Sequence, residues 1–355
     1  MTALLAHIRA RIEAEGAITL AHYMELALAH PAHGYYMTRE PFGRGGDFTT
    51  APEISQAFGE LIGLFFADYW LGVGKPSPVN LIELGPGRGT LMKDALRALA
   101  MVPEFRDAVR VHFIEVSPVL KKLQAKAVPK AEIHEGLDDV PMGPSFVIAN
   151  EFFDALPIRQ FVKRGFGWRE RKVGLKRGRL ALIEEEPPTA VVPPLAGSKE
   201  GDVWETCPQA ALWIGAIAQK LNAGGGAALI IDYGHDRHAF GETLQAVKAH
   251  APADPLAAPG EADLTAHVDF AALTQHARQN GLKAHGPISQ GAFLNHLGIA
   301  HRKAQLLKGA NKAQAREIES ALERLTARNQ MGGLFKVLAL TGRSSPPPEG
   351  FPVAA

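Results

Sequence analysis

The chain has 355 residues, 46% of them apolar and 21% charged, an ordinary globular composition that excludes a disordered or collagen-like protein. Its 38 Lys and Arg balance 37 Asp and Glu to a formal charge of +1, which argues against broad binding of nucleic acid or of an anionic membrane surface. Cys207 is the single cysteine, so an internal disulfide framework and every cysteine-built zinc site are excluded and a reducing compartment is expected.

In the first segment Leu4, Leu5, Ile8 and Ile12 recur at helical spacing, with Arg9, Arg11, Glu13 and Glu15 where a signal peptide would need an apolar core. No stretch reaches the roughly 18 apolar residues of a membrane span. These features predict a first helix and a soluble, cytoplasmic protein with no membrane span. Residues 33–54 are rich in Gly, Pro and Thr yet carry aromatic and polar side chains, and predict a long ordered loop that is either functional or a strap packed on the core. Phe58, Leu61, Ile62, Phe65 and Tyr69 then fall on one helical stripe.

From position 79 short apolar strands alternate with helices. Strands are expected at 79–84, 111–115, 133–137 and 146–149, with Ser117-Pro118 as N-cap and first helical position of one crossover helix. This alternation predicts an α/β fold with a doubly wound parallel sheet. Residues 160–183 alternate apolar and basic residues between glycines and suggest an inserted antiparallel hairpin. Nine Lys or Arg occur between positions 159 and 179, which reads either as a docking surface for an acidic partner or as a solvated face balanced by Glu184, Glu185 and Glu186. A Pro-rich linker follows. A helix over 209–221, a strand over 227–231, a helix over 270–279 capped by Asp269, a helical stretch over 313–328 and a last strand over 334–340 complete the chain. The expected divisions are 1–78 (helical, with an active-site loop), 79–158 (cofactor core), 159–206 (hairpin and linker), 207–342 (rest of the core) and a tail over 343–355.

The chemistry concentrates at the strand ends. Gly85, Gly87 and Gly89 stand two residues apart, whereas a dinucleotide fingerprint needs its third glycine three residues after the second, and position 90 is Thr. No Gly-Lys-Ser/Thr phosphate loop is present. Glu83 beside this turn suits a cationic ligand better than a pyrophosphate. S-adenosyl-L-methionine is such a ligand, with Glu83 toward its amino group, the backbone around Pro86 toward its carboxylate, and Glu115 at the next strand end toward its ribose. Leu137 and Asp138 after the third strand are candidates for the adenine, although a plain turn would explain them too. The fourth strand ends in Asn150 and Glu151, followed by Phe152, Phe153 and Asp154, where a methyl acceptor should lie. An Asn/Asp-Pro-Pro-aromatic turn is absent. The two carboxylates could hold an arginine guanidinium and orient one nitrogen, or Asp154 could cap a helix while Glu151 binds cofactor. The 14 histidines form no H-E-x-x-H or equivalent ligand cluster, so no metal is assigned. Tyr35 and Tyr36 could line the acceptor pocket, and His267 could reach the cleft.

The stretches HPAHGYYMT, GDFTTAPEISQAFGELIG, LIELGPGRGTLMKDALR, ANEFFDALPIRQF, IDYGH, DLTAHVDF and MGGLFKVL resemble the MidA family of S-adenosyl-L-methionine-dependent methyltransferases over roughly positions 18–340. That family includes a mitochondrial arginine methyltransferase that assists respiratory complex I assembly. The resemblance implies a class I methyltransferase core with an N-terminal helical region and an inserted hairpin and helical subdomain. It implies arginine methylation on the 49-kDa-type subunit of NADH:quinone oxidoreductase, a cofactor held by Gly85, Gly87, Gly89 and Glu115, and a loop with Asp47, Thr49, Thr50 and Pro52 closing over the site. It also allows a homodimer. A non-catalytic assembly chaperone that binds the cofactor, or a small-molecule methyltransferase, remain alternatives at this stage.

Overall fold

The computed structural model describes residues 2–41, 43, 46–47, 49–186, 188–189 and 191–351. Phe48 of the expected closing loop and residues 352–355 of the expected tail lie outside the described residues.

The main sheet contains β1 (Val79–Leu84), β2 (Val109–Ile114), β3 (Glu132–His134), β4 (Ser145–Asn150), β5 (Gly226–His235), β6 (Lys283–Ser289) and β7 (Phe335–Thr341). Their spatial order is β3-β2-β1-β4-β5-β7-β6, with Val268–Asp269 pairing alongside β5. β1 and β4 are buried at every position, as strands covered on both faces must be. Leu81, Phe146 and Leu229 face the helix Gln56–Gly72, whereas Ile82, Val147 and Ile230 face the helices Pro208–Gly224 and Phe270–Gln279. Period-two alternation therefore feeds two cores.

The helix ends follow their side chains. Ser117 accepts from the Leu120 N–H at the start of Pro118–Ala127, and Asp269 accepts from the Ala272 N–H at the start of Phe270–Gln279. The last strand departs from the all-parallel expectation: β7 runs antiparallel to both β5 and β6. It enters from the tight turn Met331–Leu334, where Gly332 and Gly333 lie so close to the Thr326 and Arg328 carbonyls that a Cβ would clash. Chain direction there follows from the connection 290–334, which returns the chain beside the end of β6, where Ser289 pairs with Lys336, and an apolar run does not encode that.

The expected hairpin over 160–183 is a three-stranded meander, Arg159–Arg164, Gly167–Lys176 and Arg179–Glu184. It joins Ile18–Thr19 and Val203–Thr206 in a second sheet. Five of its nine basic side chains sit in ion pairs with carboxylates: Arg159 with Glu170, Arg164 with Glu184 and Glu200, Arg169 with Glu186, Arg171 with Glu242, and Lys172 with Glu185. Most of the positive charge is thus matched within the chain. A third small sheet, Gln245–Lys248, Ala251–Ala253 and Asp263–Thr265, closes over the carboxyl ends of the main strands.

Candidate active site

Strand order reverses between β1 and β4, and ligands of such sheets bind in the crevice beyond the strand ends at that point. A cavity of about 450 Å³ opens there, within the range of small-molecule sites. Gly85 and Gly87 follow β1 with φ of +57° and +54°, backbone that a side chain would strain. A Cβ on Gly85 would lie 2.9 Å from the Phe152 ring, so the turn and the aromatic together set the floor.

Of the expected residues, Glu83, Gly85, Pro86, Gly87, Glu115 and Asn150 line this cavity, and so do Glu151 and Asp154. Thr49, Thr50 and Pro52 line it from the strap. Asp47, Gly89, Leu137 and Asp138 are not among its described lining residues. Each has another place. A Cβ on Gly89 would come 3.2 Å from Ala127 Cβ, so this glycine lets the helix Thr90–Ala98 start against its neighbour. Leu137 is in the core and Asp138 is exposed on a single turn, with Glu135 reaching the cavity wall in their stead. Asp47 staples the strap: its carboxylate accepts from the Tyr35 hydroxyl at 2.7 Å and from the Ala249 N–H at 2.6 Å.

Burial shapes the carboxyl groups. Glu83 is 3% exposed, its Oε2 has no hydrogen-bond partner among the described residues, and burial pushes its pKa up to about 8. Glu115 is held in place by three protein donors. Its Oε1 accepts from the Val116 and Ser117 N–H groups at 2.9 and 2.8 Å, and its Oε2 accepts from Gln124 at 2.9 Å. Burial pushes Glu151 to about 8, against the hydrogen bond from the Ala51 N–H that favours its charge. Asp154 is raised by burial as well, and its Oδ1 is buried without a hydrogen-bond partner among the described residues. Asn150 Oδ1 likewise has no partner among the described residues.

Three groups near Asp154 were invisible to motif reasoning. Asp232 accepts from the Phe153 and Asp154 N–H groups at 3.0 and 3.2 Å and from the Tyr233 N–H at 2.9 Å, fixing the turn after β4. Asp263 lines the cavity, accepts from the Tyr36 hydroxyl at 2.7 Å and is pushed up to about 7, first by burial. Tyr233 lines the wall beside them. The only available signal was that IDYGH and DLTAHVDF place an acid at a strand end. Tyr36 reaches the cavity, whereas His267 faces a second cavity with His235 and His238.

The strap is also tied to the glycine turn. Arg88 pairs with Glu40 at 2.9 Å and lies 3.6 Å from Glu53, while the Thr90 hydroxyl donates to Glu53. The vacant bonding capacity of Glu83, the open backbone at Gly85 and Gly87, and the N-terminus of Thr90–Ala98 fit a small zwitterion with a cationic end. A pyrophosphate would meet the Glu83 and Glu115 carboxylates.

A model of the Methyltransf_28 family, S-adenosyl-L-methionine-dependent methyltransferases, matches residues 61–288. The chain is similar to the Drosophila melanogaster protein arginine methyltransferase NDUFAF7 homolog, mitochondrial, at 39% identity over 95% of this chain and 84% of that protein. Against the Homo sapiens protein arginine methyltransferase NDUFAF7, mitochondrial, identity is 36%, covering 96% and 83%. A Burkholderia thailandensis protein solved with S-adenosyl-homocysteine superposes with a TM-score of 0.85 at 29% identity, over 98% of this chain and 94% of that one. These curated relatives are named as mitochondrial proteins, a finding that overturns the expectation of cytoplasmic localisation. With its glycine turn, acidic crevice and strand order, the chain belongs to this family of methyltransferases, and its cofactor is S-adenosyl-L-methionine.

Proposed function

We propose that the chain methylates an arginine side chain of a protein, the 49-kDa-type subunit of NADH:quinone oxidoreductase, and thereby assists complex I assembly. One observation carries the arginine reading: Asp154 Oδ1 is buried without a hydrogen-bond partner among the described residues, in a cavity whose described lining has eight carboxylates and one basic side chain, Arg88, already paired. The relatives' names support a protein arginine as acceptor. The subunit rests on the sequence resemblance alone.

S-adenosyl-L-methionine supplies a methyl group on a positive sulfur, open to in-line attack. Glu83 would hold its ammonium group and Glu115 its ribose hydroxyls. Glu151 and Asp154 would grip the guanidinium and turn one nitrogen toward the methyl carbon, since a planar fork of donors suits carboxylates. That nitrogen gains a bond to carbon as the carbon–sulfur bond breaks, and it sheds one proton. A carboxylate beside it, Glu151 or Asp154, would accept the proton once the bound cation favours its ionised form. Positioning supplies most of the rate. The strap, bonded to Glu151 through the Ala51 N–H, would keep water from the reacting atoms.

Incubation of the purified chain with S-adenosyl-L-methionine and the purified subunit, followed by peptide mass spectrometry, tests this reading. A methylated arginine that is absent without the enzyme is expected. An unmodified subunit, together with efficient transfer to a small guanidino compound, would replace the protein acceptor with a small molecule.

A further inference from the structure

We propose that His112, His134 and Glu132, at the outer edge of the main sheet, form a divalent-metal site suited to zinc. No sequence motif marks the site, because the three residues come from adjacent parallel strands, with His112 opposite Glu132 in register and Ile114 opposite His134. Folding brings them together. His112 Nδ1 lies 3.1 Å from His134 Nε2, and Glu132 Oε2 lies 3.9 Å from each of these nitrogens. Tetrahedral zinc with bonds of about 2.0–2.1 Å sets its ligand atoms about 3.3–3.4 Å apart. Shifts of a few tenths of an ångström would therefore seat an ion among the three.

The second argument is orientation. Asn80 Nδ2 donates to the Pro141 carbonyl at 2.8 Å, which turns Asn80 Oδ1 toward His112 Nε2 at 3.2 Å. His112 must donate from Nε2 to that oxygen, and its Nδ1 lone pair is left pointing at the cluster. Metal-bound histidines use this arrangement, in which the far ring nitrogen donates to a fixed acceptor. Without metal, His134 donates to that lone pair; with metal, it takes the other tautomer and offers its own.

The set is two imidazoles and a carboxylate, typical of zinc sites that keep a position for water. The His112 side chain is 2% exposed and that of Glu132 63%, so an ion would enter from the Glu132 side. Lys220 is the positive charge felt by His112; its ammonium donates to the Val140 carbonyl, and the Glu132 charge opposes it. The site also touches the cofactor pocket through the backbone, since the His134 carbonyl accepts from the Glu115 N–H at 2.9 Å.

The test is a titration of the chelator-treated full chain with Co²⁺ and then Zn²⁺, read by visible absorption and by metal content per chain. One Co²⁺ with tetrahedral or five-coordinate absorption, displaced by Zn²⁺, is expected. His134→Ala should lose that ion and Glu132→Gln should weaken it about tenfold or more, with circular dichroism and S-adenosyl-L-methionine binding unchanged. Because His112 is buried, the two more exposed variants carry the test. Equal metal content and affinity in wild type and His134→Ala would put the ion on other histidines and overturn the site. No bound metal in the wild type would leave an ordinary His–His hydrogen bond and overturn it equally.

Discussion

The Ala51 N–H donates to Glu151 Oε1 at 2.9 Å, so the strap closes directly onto the carboxylate at the end of β4. Asn150 Nδ2 reaches the same oxygen at 3.2 Å. Glu151 also holds a φ of +51°, a left-handed conformation that costs a non-glycine residue on the order of 1–2 kcal/mol. The strap and the proposed acceptor site thus meet at one side chain. Glu151→Gln keeps the acceptor for Ala51 and removes the charge. It should lower kcat about 100-fold or more, with cofactor affinity within about threefold of wild type. Glu151→Ala should add faster hydrogen exchange through the strap, 49–54. If Glu151→Gln transfers methyl groups at the wild-type rate, the carboxylate is a strap anchor only.

Burial of these carboxyls makes the cofactor-free protein sensitive to pH in a defined direction. Glu83 and Glu151 are raised to about 8 and Asp263 to about 7, mainly by burial. Below about pH 4 these groups are protonated in both folded and unfolded chains. Between about 4 and 8 the unfolded chain loses protons that the folded chain keeps, so stability falls as pH rises through this window. Thermal unfolding without cofactor should show a Tm that declines from about pH 5 to 8, and Glu83→Gln should flatten the decline. Equal slopes in wild type and variant would mean that Glu83 ionises freely in the fold. Cofactor binding near pH 7 should release protons, detectable as a dependence of calorimetric enthalpy on the buffer.

Two glycines in the same turn separate binding from folding. Gly85 lines the cavity against Phe152, whereas Gly89 faces Ala127 and Gln124. Gly89→Ala, at φ +78°, should cost about 1–2 kcal/mol of stability and leave cofactor affinity little changed at temperatures where the variant is folded. Gly85→Ala must displace the Phe152 ring and should weaken binding of the cofactor at least tenfold. Denaturant melts and calorimetry on both variants check the split. Equal losses of affinity would mean that the turn responds as one unit.

The central sheet was legible because its strands are short apolar runs punctuated by Gly, Ser-Pro and Asp, and β1 lies where the pattern puts it, Val79–Leu84. The first crevice acids were legible because they follow those strands. Gln245–Lys248 and Asp263–Thr265 were not, since strands of four and three residues in an Ala- and Pro-rich segment carry no period and are held by pairing. Asp232 was hidden for another reason. Its role is to accept three backbone N–H groups from residues 153, 154 and 233, a relation between distant segments. The direction of β7 depended on where the connection 290–334 returns the chain, beside the end of β6, which no local preference states.

Asp263 offers the sharpest test of how the acceptor is recognised. It sits on the small sheet over the crevice, feels the charge of Asp154, and accepts from Tyr36 Oη at 2.7 Å. A guanidinium lodged by Asp154 would relieve this crowding of buried negative charge, so both carboxyls should favour the bound cation. Asp263→Asn preserves the shape and the acceptor for Tyr36 while deleting one charge. It should raise the KM for the arginine-bearing substrate about 10- to 100-fold, the range of one charge-assisted hydrogen bond, and leave cofactor affinity unchanged. The contrast is Asp232→Asn, which removes acceptor capacity from a carboxylate serving three backbone donors. That variant should lose stability first, with a lower Tm in the absence of any substrate. Steady-state kinetics and thermal melts on the pair distinguish the two roles. A Tm loss in Asp263→Asn as large as in Asp232→Asn, with KM unaltered, would make Asp263 part of the scaffold and leave Glu151 and Asp154 to bind the acceptor alone.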